Sequence, residues 1–350
     1  MIRVLVVDDS AAVRGIVSAL LAEDPEIEIA GIAANGKLAV AKYAQLCPDV
    51  VTLDVEMPEM DGLTTLKTLR QQDPQATILM LSSATQKGAM TTFDALAAGA
   101  VDYVAKPEGP NAGNLLRSLG ADLILKIKAA AAAKRRKSGG PAAASSRPKL
   151  AAPQPDHREP DIVAIASSTG GPNALAALLP GLPRDLALPI VIVQHMPELF
   201  TRLLAERLNS ISQIEVREGA QNEVVRPGVA YIAPGGKHME TMRSGTDVRL
   251  RLHDGPPENS CRPAADVLFR SVANVYGART LAIVLTGMGQ DGLLGCEAIH
   301  RQRGQIVAQD EASSVVWGMP RAISESGMAQ SILPLSEITK DILRRVRVHA

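Results

Sequence analysis

The sequence predicts two successive α/β units, each built on a mainly parallel sheet, and three observations carry that prediction. Short runs of Val, Ile and Leu recur along both halves, and each is followed by a stretch whose apolar residues have helical spacing. Aromatic residues make up only 2% of the chain, so the cores are expected to be aliphatic, as in sheets buried on both faces. Between the halves the composition shifts to Ala, Pro, Ser and Gly with almost no large apolar side chains, the mark of a tether. At 350 residues, two domains are expected. The boundaries read from composition are 1–125 for the first domain, 126–159 for a flexible Ala/Pro-rich linker and 160–350 for the second.

In the first domain RVLVV reads as a buried strand. Val13, Ile16, Val17, Leu20 and Leu21 then follow the i, i+3, i+4, i+7, i+8 spacing of one helix face. Further strands are predicted at 27–32, 50–53, 77–81 and 101–104, with helical runs between them. Five strands with intervening helices predict a flavodoxin-like, doubly wound parallel sheet. After the linker, strands at 161–166, 189–194, 281–285 and 305–309 again alternate with helices, which predicts a Rossmann-like α/β domain. Shorter β segments around 214–217, 228–232 and 248–252 interrupt this rhythm and are expected to form a hairpin-like edge.

Charge and composition exclude several classes. Lys plus Arg equals Asp plus Glu at 37 each, so no global field favours nucleic acid or an anionic membrane. The run KRRK at 134–137 lacks aromatics and a recognition-helix pattern, and reads as solvated linker. No stretch approaches the ~18 consecutive apolar residues of a membrane span. MIRVLVVDDS ends its apolar run in two aspartates, so it reads as a strand rather than a signal peptide. Cys47, Cys261 and Cys296 are few, odd in number and widely spaced. They suggest neither a disulfide nor a metal framework, and suit a reducing compartment. A cytoplasmic protein is expected, with no nucleic-acid partner and no membrane insertion.

The first domain gathers acid residues at strand ends. Asp8 and Asp9 close the first strand, and Asp54 closes DVVTL. In a parallel α/β sheet such ends share one rim, so the three carboxylates are expected side by side, repelling one another until a divalent cation relieves them. Oxygen-only ligands with room for water favour Mg²⁺. Ser82 and Lys106 end two further strands and offer a hydroxyl and an ammonium, the donors and counter-charge a phosphoryl group needs. Single strand-end aspartates often only cap the next helix, but five polar residues gathered at four strand ends do not fit that explanation.

On these residues the domain resembles response-regulator receivers, through VVDDS, DVEMPEMDG at 54–62 and AKP at 105–107. The resemblance implies that Asp54 accepts phosphate from a histidine kinase. It implies that Asp8, Asp9, Asp54 and the main-chain carbonyl of Glu56 hold Mg²⁺, and that Ser82 and Lys106 contact the phosphoryl group. Ser83 competes with Ser82 for the hydroxyl role. Tyr103 matches an aromatic position that changes rotamer on activation, although packing alone also accounts for it.

In the second domain SSTGG at 167–171, QHMP at 194–197 and LTGMGQDG at 285–292 each follow an apolar run and precede a helix. Strand ends deliver Ser168, His195 and Asp291 to one crevice: a nucleophile, a base and an orienting carboxylate. Gly170 and Gly171 allow a tight turn into a helix whose N-terminus offers free N–H groups. The lysine and spacing of a P-loop are missing, and Ala166 stands where a G-x-S-x-G elbow would need its first glycine. The bland reading of Asp291, as an N-cap with Gly292 at N1, explains that residue alone. His238, His253 and His300 lack a comparable strand-end position, His157 lies in the linker and His349 at the end.

Residues 161–330 are similar to the catalytic domain of chemotaxis protein-glutamate methylesterases. The matching segments are ASSTGG, QHMP, YIAPGGKH, CRPAADVLF, LTGMGQDG and QDEASSVVWGMP. The resemblance implies a Ser168–His195–Asp291 triad with oxyanion contacts from Thr169 and the main-chain N–H of Met288. Ala264 and Ala265 depart from the Ser and Val often found in CRPAADVLF, a run expected to be peripheral to the triad. The implied activity is hydrolysis of glutamate methyl esters and deamidation of glutamines on methyl-accepting chemoreceptors. Phosphorylation would control it, with no cofactor in the hydrolase. A response regulator with a DNA-binding output would need a helix-turn-helix and a basic face, and neither pattern is present. The same hydrolase acting on another sensor is left open by these residues.

Overall fold

The computed structural model describes residues 1–83, 85–106, 112–138 and 158–346, of which 112–119 and 136–138 by main chain alone. The chain divides into two compact units, Met1–Ala144 and Ser145–Ala350. Pro107 of the AKP motif, His157 and His349 lie outside the described residues, as does 139–157 of the expected linker.

The first unit runs β1 (Ile2–Val7), α1 (Ala11–Ala22), β2 (Ile27–Ala33), α2 (Gly36–Leu46), β3 (Val50–Asp54), α3 (Gly62–Gln72), β4 (Ile78–Ser83), α4 (Gln86–Ala97), β5 (Asp102–Lys106) and α5 (Ala112–Ser138). Its sheet has the order β2-β1-β3-β4-β5 with every pairing parallel. The continuous apolar runs of β1 and β3 follow from this, because both strands are covered on both faces. Strand order reverses between β1 and β3, which sets the end of β3 beside the residues that follow β1. Ser10 caps α1 by accepting from the Val13 N–H at 3.4 Å. Val17, Leu20 and Leu21 of that helix are buried, each contributing on the order of 1.5–3 kcal/mol.

The last helix overruns the boundary expected at residue 125. Helix α5 continues to Ser138, with Leu123, Ile127, Ala130 and Ala131 buried in the core of the first unit. Composition alone misread this stretch, because an alanine run lacks bulk yet has the highest helix propensity of any residue. KRRK is also part of the helix rather than linker. Lys134 Nζ donates to the Pro48 and Asp49 carbonyls at 3.3 and 3.5 Å, and Arg135 to the Met1 carbonyl at 3.4 Å.

The second unit runs β6 (Ile162–Ser167), α6 (Gly171–Leu178), β7 (Ile190–Gln194), α7 (Glu198–Ile211), β8 (Glu215–Glu218), β9 (Val229–Ile232), β10 (His238–Ser244), β11 (Asp247–His253), α8 (Ala265–Tyr276), β12 (Thr280–Val284), α9 (Leu293–Arg301), β13 (Gln305–Gln309), α10 (Met319–Ser326), β14 (Ser331–Leu333) and α11 (Leu335–Arg345). A seven-stranded sheet has the order β14-β13-β12-β6-β7-β9-β8, with every pairing parallel. The expected hairpin-like edge is corrected in two ways. β8 and β9 extend the main sheet as a parallel pair. β11 instead pairs with β10, which the sequence reading missed, in a separate antiparallel ribbon. β6 lies at the centre between β12 and β7. All of its residues are buried, and Ile162, Ala164 and Ala166 pack with Leu268 and Phe269 of α8 in one core. The three strands whose ends carry the predicted triad are therefore neighbours.

Candidate active site

The pairing of β6 with β7 sets Ser167 opposite Gln194, and the two serines then diverge. Ser167 is fully buried and its hydroxyl donates to Gln194 Oε1 at 2.7 Å. Ser168 lies half-buried beyond the strand end, its N–H donating to the Thr286 carbonyl at 3.0 Å. The chain turns at Gly170, whose φ of +78° suits glycine, and Gly171 leaves no room for a Cβ against Gln194. Helix α6 starts there with Pro172 in its first turn. Thr169 is buried, its carbonyl accepting from the Thr286 hydroxyl at 2.9 Å. Met288 is half-buried in the turn that follows β12.

His195 follows β7 and Asp291 follows the β12 turn, and their side chains meet with Nε2 2.8 Å from Oδ2. Asp291 is buried but well supplied with donors. Oδ2 accepts from the Ala265 N–H at 2.6 Å, and Oδ1 from the N–H groups of Asp266 and Gly292 at 3.1 and 3.0 Å. It thus sits on the N-terminus of α8, whose own N-cap residue Ala264 has no side chain to offer. Burial opposes its charge, yet the His195 contact and these N–H donors hold the carboxyl below its usual range. For His195 burial is the largest influence and opposes charge, but the Asp291 and Cys261 contacts together outweigh it and the imidazole rises to about 9.

The run CRPAADVLF is not peripheral, contrary to expectation: Ala265 and Asp266 supply main-chain donors to the Asp291 carboxylate. Three side chains in and beside it also escaped the sequence reading. Asn259 donates to Asp291 Oδ1 at 3.0 Å and to Asp266 Oδ2 at 2.9 Å, bridging two buried carboxylates. Burial and the nearby Asp291 hold the Asp266 carboxyl above its usual range. Cys261 places its sulfur 3.6 Å from His195 Nδ1. Wide cysteine spacing hid this contact, since sequence distance says nothing of what a loop returns to a strand end.

In the first unit, Lys106 Nζ lies 2.7 Å from Asp8 Oδ2 and 2.8 Å from Asp54 Oδ1. Oxygens of Asp8, Asp9 and Asp54 fall within 4.8 Å of one another, with Asp8 and Asp54 buried and Asp9 exposed. This all-oxygen set, with one member open to solvent, fits a hydrated Mg²⁺. Burial is the main reason the Asp54 carboxyl rises to about 6, against the pull of Lys106. The Glu56 N–H donates to Asp54, while the Glu56 carboxylate is exposed, 3.9 Å from Lys87. Ser82 is buried with its hydroxyl 2.7 Å from Thr92 Oγ1, and Ser83 lies 3.0 Å from Thr85 Oγ1. The structure thus unites Asp8, Asp9, Asp54 and Lys106, while both serines bond to side chains of α4 and its cap. Tyr103 is buried under the Lys126 ammonium, 5.4 Å from its ring centroid.

Comparison with known proteins finds a family for each unit. Residues 163–342 match the CheB methylesterase family, and residues 4–116 the response regulator receiver domain. A protein-glutamate methylesterase/protein-glutamine glutaminase of Trichodesmium erythraeum is 47% identical over 347 residues, 98% of this chain and 99% of that protein. One of the same name from Archaeoglobus fulgidus is 43% identical over 347 residues, 99% of this chain and 98% of that protein. The crystal structure of the Thermotoga maritima CheB methylesterase catalytic domain is 40% identical. It covers 54% of this chain and all of that domain, with a TM-score of 0.53. Among the described residues no helix is long and apolar enough to cross a membrane. The chain therefore belongs to the CheB methylesterase family, with a response-regulator receiver as its first unit.

Proposed function

We propose that the second unit demethylates glutamate methyl esters and deamidates glutamines on cytoplasmic helices of chemoreceptors, with phosphorylation of Asp54 by a chemotaxis histidine kinase as its control. The observation that carries this reading is the His195–Asp291 pair at 2.8 Å beside the Ser168 turn. The relatives' names supply the substrate class. Nε2 of His195 is committed to Asp291, so Nδ1, which the Cys261 sulfur also approaches, is the nitrogen that accepts the Ser168 proton.

The Ser168 oxygen attacks the side-chain carbonyl as its proton passes to His195. The oxyanion is met by Thr169 and the Met288 N–H. The imidazolium returns its proton to the leaving group, methanol from an ester or ammonia from an amide, and an acyl-serine remains. Water gives a proton to His195, attacks the acyl carbon and releases glutamate with Ser168 restored. One set of residues serves both reactions, because both pass through the same kind of tetrahedral intermediate. In the first unit Asp8, Asp9, Asp54 and the Glu56 carbonyl would hold Mg²⁺, which supplies positive charge for an incoming phosphoryl group. Lys106 offers its ammonium there, and Ser82 its hydroxyl once that no longer donates to the Ser83 carbonyl.

The test is incubation with methylated receptor fragments, following methanol release and the masses of individual peptides. Methanol in step with mass loss at glutamate esters supports the reading, and intact esters under a phosphodonor with Mg²⁺ refute it.

A further inference from the structure

The hydrolytic scheme leaves Cys261 unused, yet its sulfur lies 3.6 Å from Nδ1 of His195. The opposite nitrogen of the same ring faces Asp291, and ligand atoms of the three residues lie within 4.8 Å of one another. Thiol, imidazole and carboxylate form the constellation in which an imidazole takes a thiol's proton and leaves a nucleophilic sulfur. The loop that carries Cys261 is held in place. Glu258 and Cys261 exchange main-chain hydrogen bonds at 3.1 and 2.8 Å, and Glu258 pairs with Arg270 at 2.6 Å. Two residues before Cys261, Asn259 donates to Asp291, so a single short loop touches both members of the pair. Cys261 is half-buried, whereas Cys296 is fully enclosed and Cys47 is exposed in the other unit.

We propose that Cys261 is a modification site that switches the hydrolase off, its thiol activated by the hydrolase's own base and its reactants small electrophiles, hydroperoxides foremost. The proposal rests on His195 being the base of the hydrolytic reaction. The thiol proton passes to Nδ1. The sulfur then attacks the terminal oxygen of a hydroperoxide, an S–O bond forming as the O–O bond breaks. The departing oxygen takes the imidazolium proton and leaves as water or alcohol, and a sulfenic acid remains on Cys261. With iodoacetamide an S–C bond forms instead and iodide departs. Either adduct adds bulk beside the nitrogen that must meet Ser168. A thiol reductant removes the sulfenic oxygen and restores the enzyme.

The test uses the full chain carrying Cys47→Ser, which removes the exposed thiol of the first unit. Samples are exposed to hydrogen peroxide or iodoacetamide, with Cys261 modification read by peptide mass and turnover by methanol release. Turnover is expected to fall in step with modification, and to return with dithiothreitol after peroxide but not after iodoacetamide. His195→Ala is expected to slow modification about tenfold, since the thiol then lacks its proton acceptor. The turnover that Cys261→Ala retains is expected to resist both reagents. Full modification of Cys261 with turnover intact overturns the proposal, as does equal reagent sensitivity in Cys261→Ala. An unchanged modification rate in His195→Ala overturns activation by the base. Undiminished esterase turnover in untreated His195→Ala is a separate result, which removes the hydrolytic reading on which the proposal stands.

Discussion

Ser167 donates its hydroxyl proton to Gln194 Oε1 at 2.7 Å across the β6–β7 pairing, while Gln194 Nε2 donates to the Ser168 carbonyl at 3.0 Å. One buried amide thereby locks the first serine inside and steadies the main chain of the second. Two adjacent serines that look equivalent in sequence are given different surroundings.

Ser168→Ala is expected to lower esterase turnover on the order of 10⁴–10⁶-fold with the fold intact. Ser167→Ala should keep turnover within an order of magnitude but lose about 1–3 kcal/mol of stability, because Gln194 is left with an unpaired buried acceptor. Methanol release and denaturant midpoints on both variants distinguish the roles. A fully active Ser168→Ala would end the assignment.

His195 and Asp291 should act as one unit with Ser168, and losses from residues sharing a mechanism do not multiply. The double variant His195→Ala/Asp291→Ala is expected to be little slower than His195→Ala alone. Multiplying losses, with folding intact by circular dichroism, would count against the triad.

The base must be neutral to accept the Ser168 proton, and the Asp291 and Cys261 contacts together hold the imidazole near 9 against burial. Accordingly kcat/KM should rise with pH through that region. Asp291→Asn removes the carboxylate that favours the charged ring, so its rising limb should move down toward the ordinary value of about 6.5. Its maximum should fall about 10⁴-fold. A limb that stays in place would mean that another group sets it.

Asp54 is the expected phosphoacceptor, given its contact with Lys106 at 2.8 Å and its place in the acid cluster. Acetyl phosphate with Mg²⁺ should label wild type and leave Asp54→Asn unlabelled, and Asp8→Asn should need more Mg²⁺. Peptide mapping checks this, and full labelling of Asp54→Asn would point to another residue.

Unphosphorylated, the first unit is expected to inhibit the second. A chain beginning at Pro160 should hydrolyse receptor esters faster than the unphosphorylated full chain. A tenfold difference requires only about 1.4 kcal/mol of differential stability. If the shortened chain folds and is no faster, activation comes from recruitment to the receptor instead.

Most of the architecture was legible because parallel strands leave continuous Val, Ile and Leu runs, and because residues just past strand ends share one rim. Asp8 and Asp54 in one unit, and Ser168, His195 and Asp291 in the other, needed only that geometry. What stayed hidden depended on where the intervening loops return. Nothing in CRPAADVLF announces that Ala265 and Asp266 turn their N–H groups toward a carboxylate many residues ahead. Asn259 and Cys261 reach the same place by a loop with left-handed residues at Asn259 and Ser260. Helix α5 was missed for a different reason, since an alanine run looks like spacer when judged by bulk and like helix when judged by propensity.

Asp291 ties chemistry to folding. Its carboxylate holds the His195 ring and also satisfies the opening N–H groups of α8, the helix whose Leu268 and Phe269 fill the core under the sheet. Removing it by Asp291→Ala strips partners from several buried donors, so the cell would hold less of the protein as well as a slower one. Ser168 has no such second duty to α8. For trapping a receptor on an inert but abundant enzyme, Ser168→Ala is therefore the substitution of choice. Low steady-state levels in Asp291 alleles should not be read as a signalling effect.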